Sequence, residues 1–222
     1  MNPAPRSLTM DALQFSGTVT AAFSHDFKNT LAIIKENTGL LVDLLAMAEK
    51  GRPLDPQRLA TLAERIGRQV QRADRMTAEL NRFAHSADLP EAQTDLGAML
   101  EMAVVLSARP ANLKRVGLEA VTAPPLWIAT FPFGLQQLLY RCIALLLDRA
   151  GSGGRIVLEA DDGRPPVALR VIARTAEDRI PAGETAPTPT PEMTGLAHAL
   201  QIRLDWDAAA GGWRLTWRDV ET

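Results

Sequence analysis

Residues 24–31 carry the side chains in this sequence that are best suited to chemistry. They read Ser-His-Asp-Phe-Lys-Asn-Thr-Leu, so His25 is followed directly by Asp26 and then, within one helical turn, by Lys28 and Asn29. A neutral imidazole is a good nucleophile near neutral pH, because its ordinary pKa is about 6.5. Asp26 can orient the ring or accept its proton, Lys28 can balance phosphoryl charge, and Asn29 can position a phosphoryl group or a water. The segment is suited to reversible phosphorylation of His25, but for so short a motif taken alone a plain surface histidine is the more common explanation.

Two long helices have to present this segment. The first has no internal proline and is predicted to begin near Thr9 or Asp11 and to end at about Glu49. After a break at residues 51–53, Asp55 and Pro56 open a second helix with a capping residue and a proline at the first helical position. A connection this short joins antiparallel neighbours. The sequence therefore predicts a helical hairpin.

The apolar stripes of these helices set the direction in which His25 points. The predicted stripes are Phe27, Leu31, Ile34, Leu41 and Leu45 in the first helix, and Leu59, Leu62, Ile66, Val70, Ala73, Met76, Leu80 and Phe83 in the second. Each helical residue advances by about 100°, so His25 lies about 160° from Phe27 and faces solvent beside Lys28 and Asn29. Further apolar residues flank the first stripe, and two helices cannot cover them all. We expect two hairpins to form a four-helix bundle in a homodimer, or else one hairpin to dock on its own second domain.

The remainder of the chain predicts a mixed domain. A polar segment at residues 86–95 separates it from the hairpin, which gives domains at residues 1–88 and 89–222. Helices are predicted at 96–106, 133–150 and 193–200, and strands at 117–121, 127–129, 155–160, 167–173, 204–206 and 213–217, with a turn at 161–166 and a proline-rich loop at 181–191. One sheet with helices on one face accounts for this order. The predicted fold class is α+β, a helical hairpin followed by an α/β sandwich.

Composition limits the class of protein. The 222 residues are 46% hydrophobic and 23% charged, and a net charge of -2 indicates neither nucleic acid nor an anionic membrane as a partner. The sequence shows no signal-peptide pattern and no apolar stretch of about 20 residues. A single cysteine, Cys142, excludes an internal disulfide. We therefore expect a cytoplasmic location, and it stays open whether the chain is a fragment of a longer sensor.

The run from His25 to Ile34, His-Asp-Phe-Lys-Asn-Thr-Leu-Ala-Ile-Ile, resembles the phospho-acceptor box of sensor histidine kinases. It is also similar to sporulation phosphotransferases, which move phosphoryl groups between receiver domains without ATP. The resemblance implies that His25 is the phospho-acceptor, Asp26 its acid/base partner and Asn29 an assisting residue. Thr30 stands where the kinases usually have a proline, which implies a straighter first helix.

The resemblance extends into the second domain, where the ATP-binding residues are missing. The two asparagines that bind nucleotide and magnesium in the kinases fall at Arg141 and Leu145, and leucine cannot bind magnesium, which takes oxygen ligands. The aspartate-glycine turn maps onto residues 175–181 without its aspartate and glycines, and the glycine-rich lid is reduced to residues 194–200. A backbone without small residues cannot approach phosphates closely. The second domain therefore resembles a degenerate ATPase domain, as in ChpT-type dimeric phosphotransferases.

These observations predict a histidine phosphotransferase of a two-component phosphorelay that uses no ATP. Its partners would be response-regulator receiver domains, with a hybrid histidine kinase upstream as one candidate donor, and Mg²⁺ would come from the receiver because this chain has no cofactor of its own. Arg65, Arg68 and Arg72 on the second helix would meet the acidic receiver pocket together with Lys28, unless they form only a solvated face. Three alternatives stay open: an ATP-dependent sensor kinase with a divergent pocket, a receiver phosphatase, and a non-catalytic receiver-binding scaffold.

Overall fold

A computed structural model describes residues 5–121, 125–161, 166–181 and 186–217, with residues 5–8 described by their backbone alone. The predicted hairpin is present as α1 (Pro5–Glu49) and α2 (Pro56–His85). Gly51, with a φ of 82°, turns the chain between them, and the carboxylate of Asp55 accepts a 2.9 Å hydrogen bond from the backbone N–H of Gln57 at the start of α2. The first helix begins several residues before the predicted start, because residues 5–8 continue its backbone pattern.

The seam between the helices differs in part from the predicted stripes. Within residues 17–82, the buried residues are Val19, Phe23, Thr30, Asn37 and Leu62. Leu31, Leu45 and Val70 were predicted to lie in the seam, yet their side chains are 50%, 46% and 45% exposed. Thr30 and Asn37 occupy the inner positions because each satisfies its polar group on a carbonyl of its own helix, at Asp26 and Ile33. Hydropathy alone assigns such positions to the surface.

The second part of the chain builds a mixed sheet. Its elements are β1 (Ala92–Asp95), α3 (Leu96–Lys114), β2 (Gly117–Val121), β3 (Trp127–Thr130), α4 (Pro132–Ala150), β4 (Arg155–Ala160), β5 (Ala168–Arg174), α5 (Pro191–Ala199), β6 (Ile202–Asp207) and β7 (Gly212–Trp217). Five strands form a sheet in the order β2-β4-β5-β7-β6, in which β2 and β4 are parallel and the other neighbours are antiparallel. Strands β1 and β3 form a separate antiparallel pair. The predicted fold class is confirmed.

The core lies on one face of the five-stranded sheet. Leu138, Ile143 and Leu146 of α4 pack in one buried cluster with Ile156 and Leu158 of β4, while the intervening strand residues point away from it. On the opposite face Arg170 pairs with Glu159 and Asp161. Helices on one face are therefore confirmed. Alternating burial along the strands is the period-two pattern from which they were predicted.

Two elements differ from their prediction. Strand β1 lies within the segment that was predicted as a polar linker, because the pairing of Ala92–Asp95 with β3 gives it order that its own composition does not. Helix α3 continues to Lys114 through Pro110, well past the predicted end at residue 106. The predicted turn at 161–166 and loop at 181–191 lie partly outside the described residues.

The chain divides into two compact units. One contains residues 17–82, and the other contains the described residues up to Ser16 and from Phe83 onward. In the second unit the ring of Phe15 contacts those of Phe83, Phe133 and Tyr140 at centroid distances of 5.5, 5.6 and 5.2 Å. The first turns of α1 thus pack with the sheet-containing unit, while the predicted domain limit at residue 88 stays a prediction. Across the described ranges, no helix has both the length and the apolarity to cross a bilayer.

Candidate active site

His25 lies on a continuous stretch of α1, within the unit of residues 17–82. Its side chain is 50% exposed and that of Asp26 is 37% exposed, so the ring is accessible as its position relative to Phe27 predicts. Lys28 and Asn29 are exposed as well. A helix interior holds these residues at fixed angles, which keeps the neighbours of the histidine in place without any loop.

Two side chains contact the same ring nitrogen of His25. The Asp26 Oδ1 atom lies 3.2 Å from Nδ1, and the Asn29 Nδ2 atom lies 3.3 Å from Nδ1. When Nδ1 donates its proton to the carboxylate of Asp26, the lone pair of the neutral imidazole resides on Nε2. The geometry brings the three predicted catalytic residues together, and the Asp26 contact favours the tautomer whose lone pair is on Nε2.

Thr30 holds this part of α1 against α2. Its side chain is fully buried, its hydroxyl donates to the carbonyl of Asp26 at 3.0 Å, and the same oxygen lies 3.9 Å from the sulfur of Met76. The helix runs without a break past this position, where the resembling kinases have proline. Pro at residue 30 would remove the backbone hydrogen bond that keeps the helix regular. The contact also fixes the register, with residue 30 level with residue 76.

This register separates the predicted arginines from the histidine. Because the helices are antiparallel, His25 is level with a position near residue 81, whereas Arg72 is level with Ile34 and Arg65 with Leu41. At a rise of 1.5 Å per residue, Arg72 lies about 13 Å and Arg65 about 24 Å along the hairpin from His25. Arg65, Arg68 and Arg72 are all exposed. They are too distant to touch a phosphoryl group on His25, and only a larger partner can reach both.

The hairpin has two flanks of different chemistry on either side of its seam. An advance of about 100° per residue places His25, Ile33, Leu40 and Met47 on one flank of α1, and because α2 is antiparallel its adjoining flank carries Arg65, Arg68 and Arg72. We call this the histidine flank. The other flank, which we call the apolar flank, carries Leu31, Val42 and Leu45 of α1 and Ala63 and Val70 of α2.

Sequence analysis missed the apolar row of the histidine flank. Ile33, Leu40 and Met47 are 36%, 41% and 44% exposed, and they recur at every seventh residue. Their spacing was the available signal, but it was hidden because the apolar residues of the seam and of both flanks overlap along α1. Only the buried positions of Thr30 and Asn37 separate the three sets.

The positions that resemble ATP-binding asparagines have structural contacts of another kind. The guanidinium of Arg141 lies 3.9 Å from a carboxylate oxygen of Asp11, and Leu145 packs against the apolar core. Residues 175–179 form a tight turn in which the Thr175 N–H donates to the Arg179 carbonyl at 2.9 Å. Gly195 is buried within α5 rather than in an open loop. These described positions are thus engaged in an ion pair, core packing, a turn and a helix.

Burial and local hydrogen bonds shift the pKa values of titratable groups on α4 and at the start of α5. Burial raises the pKa of Tyr140, which the neighbouring Arg141 partly offsets, and burial raises the pKa of the Cys142 thiol far above its usual range. At the start of α5, the hydroxyl of Thr190 holds the pKa of Glu192 below its usual value, with a further contribution from Arg141. The Cys142 thiol is therefore inert in the folded protein.

Comparisons with known proteins give remote structural matches. No protein-family model matches the chain, and no curated protein sequence is significantly similar to it. A histidine kinase of Acinetobacter baumannii, AdeS, is 12% identical with a TM-score of 0.43, over 86% of this chain and 95% of that one. A histidine kinase from Burkholderia phymatum is 14% identical with a TM-score of 0.40, over 85% and 96% of the two chains. The ATP-binding domain of PrrB from Mycobacterium tuberculosis is 20% identical with a TM-score of 0.41, over 58% of this chain and 95% of that domain. Values this low assign no function.

Proposed function

We propose that this chain is a histidine phosphotransferase of a two-component phosphorelay, which moves phosphoryl groups between receiver domains through His25 and does not use ATP. The observation that carries the proposal is the geometry at His25. An accessible imidazole lies in mid-helix with the Asp26 carboxylate 3.2 Å from Nδ1, an arrangement that favours a nucleophilic Nε2.

The chemistry requires little more than positioning and charge neutralisation. The Nε2 lone pair attacks the phosphorus of a receiver aspartyl phosphate, the bond from phosphorus to the aspartate oxygen breaks, and the carboxylate leaves with its electron pair. Asp26 stabilises the positive charge that develops on the ring. The Mg²⁺ that neutralises the phosphoryl oxygens would be held by the receiver, and the reverse reaction with a second receiver completes the relay.

The replaced positions support the proposed independence from ATP. Arg141 and Leu145 supply no neutral oxygen ligand for magnesium, and Arg141 is engaged with Asp11. The sheet-containing unit would then serve as a scaffold for the hairpin, as in the ChpT-type proteins that the sequence resembles. An ATP-dependent kinase would need a nucleotide site built from other residues.

The histidine flank is the surface that we assign to the receiver. Its exposed row of Ile33, Leu40 and Met47 offers apolar contact, and the neighbouring arginines, 13–24 Å below His25 at about 1.5 Å per residue, suit an acidic partner. A receiver that places its phosphoaspartate at His25 is large enough to cover this row. The surface thus combines an apolar centre with a charged rim, as protein interfaces commonly do.

The apolar flank is the surface that we assign to a second copy of the chain. Leu31, Val42 and Leu45 are 50%, 59% and 46% exposed, which leaves a row of large apolar side chains in water if the hairpin stays single. Pairing through this flank completes a four-helix bundle. It also keeps the arginines of the two copies apart, whereas pairing through the histidine flank would bring them together.

The experiment that tests the function follows a radioactive phosphoryl group. Receiver domains labelled on aspartate are mixed with the wild type, with His25→Ala and with His85→Ala, and labelled ATP is supplied in separate reactions. His85 is a matched control, because it is also exposed and its Nδ1 lies 2.7 Å from the carboxylate of Asp88. We expect label on the wild type and on His85→Ala, none on His25→Ala, and none from ATP.

Each other outcome selects an alternative. Label taken from ATP would make the chain a kinase and contradict the assignment of Arg141 and Leu145. Loss of label from the receiver as free phosphate, with none on the protein, would make it a phosphatase. Tight receiver binding without any transfer, unchanged in His25→Ala, would leave a scaffold.

A further inference from the structure

The two contacts to Nδ1 of His25 demand opposite protonation states of that nitrogen. The Asp26 Oδ1 atom can only accept, so its contact at 3.2 Å requires a proton on Nδ1. The Asn29 Nδ2 atom can only donate, so its contact at 3.3 Å requires a lone pair on Nδ1. One nitrogen cannot satisfy both neighbours at the same time, and each contact therefore favours a different tautomer of the ring.

We propose that Asn29 is a positioning residue that competes with Asp26 for Nδ1 and so sets the fraction of His25 in the nucleophilic tautomer. When Nδ1 donates to Asp26, the proton is on Nδ1 and the lone pair is on Nε2, where it can attack. When Nδ1 accepts from Asn29, the proton is on Nε2 and the ring cannot attack through that atom. The catalytic consequence rests on the proposed function, whereas the competition itself rests only on the geometry.

The same competition acts after transfer. With phosphorus on Nε2, a proton on Nδ1 makes the departing imidazole a neutral leaving group, so Asp26 favours cleavage of the N–P bond. An N–H donated by Asn29 to the Nδ1 lone pair keeps the ring unprotonated and strengthens its hold on the phosphoryl group. Whether or not Nδ1 carries a proton, the N–P bond breaks with its electron pair returning to Nε2. The phosphoryl group then passes to the acceptor aspartate or to water. Asn29 thus lengthens the lifetime of phosphohistidine.

The tautomer is measured directly by ¹⁵N NMR of the full chain, without any phosphoryl donor. The signals of His25 are assigned by their loss in His25→Ala, and His85 serves as an internal reference because it has a carboxylate of its own at 2.7 Å. We expect Asn29→Ala to shift the tautomer ratio roughly 2- to 10-fold towards Nδ1–H, the range that one hydrogen bond gives. Asp26→Ala should shift it the other way, and Glu36→Ala, at an exposed position farther along α1, should not shift it.

The lifetime is measured by loading His25 with phosphoramidate and following the loss of its ³¹P signal. Asn29→Ala and Asn29→Asp should both shorten the lifetime, again roughly 2- to 10-fold for the loss of one hydrogen bond. An unchanged tautomer ratio in Asn29→Ala, or a shift towards Nε2–H, would overturn the proposal. So would a longer lifetime in Asn29→Ala, which is the result expected if Asn29 positions an attacking water.

Failure of the phosphotransferase function would look different. The NMR shift would be present in the resting protein, while no receiver would label His25. The two results together therefore show whether the function or the competition is wrong.

Discussion

At the scale of single residues, buried polar side chains decide how the hairpin is arranged. Thr30 is fully buried and Asn37 is 7% exposed, and both donate to the carbonyl four residues earlier, at 3.0 and 2.7 Å. Their hydrogen bonds are satisfied within α1, so neither needs a partner on α2. A satisfied polar residue in a seam costs some stability relative to an apolar one but restricts the registers that helices can adopt.

Replacing Asn37 by leucine tests that role. Asn37→Leu should raise the free energy of unfolding by about 1 kcal/mol, because it buries apolar surface and leaves only the carbonyl of Ile33 without its extra donor. Urea unfolding followed by circular dichroism measures the change, with Thr38→Leu on the exposed face as the control. A marked loss of stability instead would mean that Asn37 bonds across a subunit interface.

The buried thiol of Cys142 predicts how stability depends on pH. Burial raises its pKa in the folded state, so the stabilisation it contributes is complete below the ordinary thiol pKa of 9.0 and is lost as the pH rises through the range above it. Between pH 8 and 10 the advantage of the wild type over Cys142→Ala should shrink by about 1 kcal/mol. Unfolding in guanidinium at each pH measures it, and parallel pH profiles would contradict it.

At this scale the sequence was informative about His25 and less so about its surroundings. The type and spacing of His25, Asp26 and Asn29 were sufficient to group them, because a helix interior fixes which residues share a face. The predicted seam positions of Leu31 and Leu45 were wrong, since hydropathy does not distinguish a side chain that faces α2 from one that lies on an outer flank of the hairpin. The distance from His25 to the arginines required the register, which a sequence does not contain.

At the scale of elements, close backbone approaches limit what the sheet tolerates. A Cβ on Gly154 would lie 2.2 Å from the carbonyl oxygen of Ala150 and 2.5 Å from that of Arg174. Both are backbone atoms, so neither can move aside without distorting α4 or β5. The glycine therefore fixes how the end of α4 meets the start of β4.

Two glycine-to-alanine changes should have opposite effects. Gly154→Ala should lower the free energy of unfolding by about 2–4 kcal/mol through steric strain. Gly39→Ala should raise it by about 0.5–1 kcal/mol, since a Cβ there meets nothing within 4 Å and alanine favours the helix. Thermal and urea unfolding measure both. Equal effects of the two changes would show that the close approach at Gly154 is not rigid.

Elements with strong local signals were predicted well, and those that depend on pairing were not. The bounds of α4, β2 and β4 agree with the prediction to within one residue, because apolar periodicity and flanking glycines mark them. Strand β1 is polar and is ordered by its pairing with β3, so it carries no local strand signal. Helix α3 continues through Pro110 since tertiary packing outweighs the local cost of one proline.

At the scale of the whole molecule, substitutions on the two flanks of the hairpin should affect different properties of the protein. Val42→Glu on the apolar flank should convert the proposed dimer to a monomer, because it places a charge on the surface that we assign to a second copy. Leu40→Glu on the histidine flank should leave the proposed dimer intact. It should lower the rate of phosphoryl transfer from the receiver roughly tenfold, which corresponds to about 1–2 kcal/mol of lost receiver binding. Light scattering gives the mass, and label transfer gives the rate. Loss of the dimer in Leu40→Glu alone would exchange the two assignments.

The packing of Phe15 also predicts an order of folding. Phe15 and Phe83 are distant in sequence, yet their rings meet 5.5 Å apart in the sheet-containing unit. A flexible loop joining Phe15 to Phe83 closes only at an entropic cost, and contacts between residues so distant in sequence form slowly. If α1 and α2 first form the hairpin, they bring Phe15 and Phe83 close together and reduce this entropic cost. We therefore expect the first turns of α1 to complete the aromatic cluster after the hairpin has formed. Any change that delays the hairpin should then slow refolding of the sheet-containing unit.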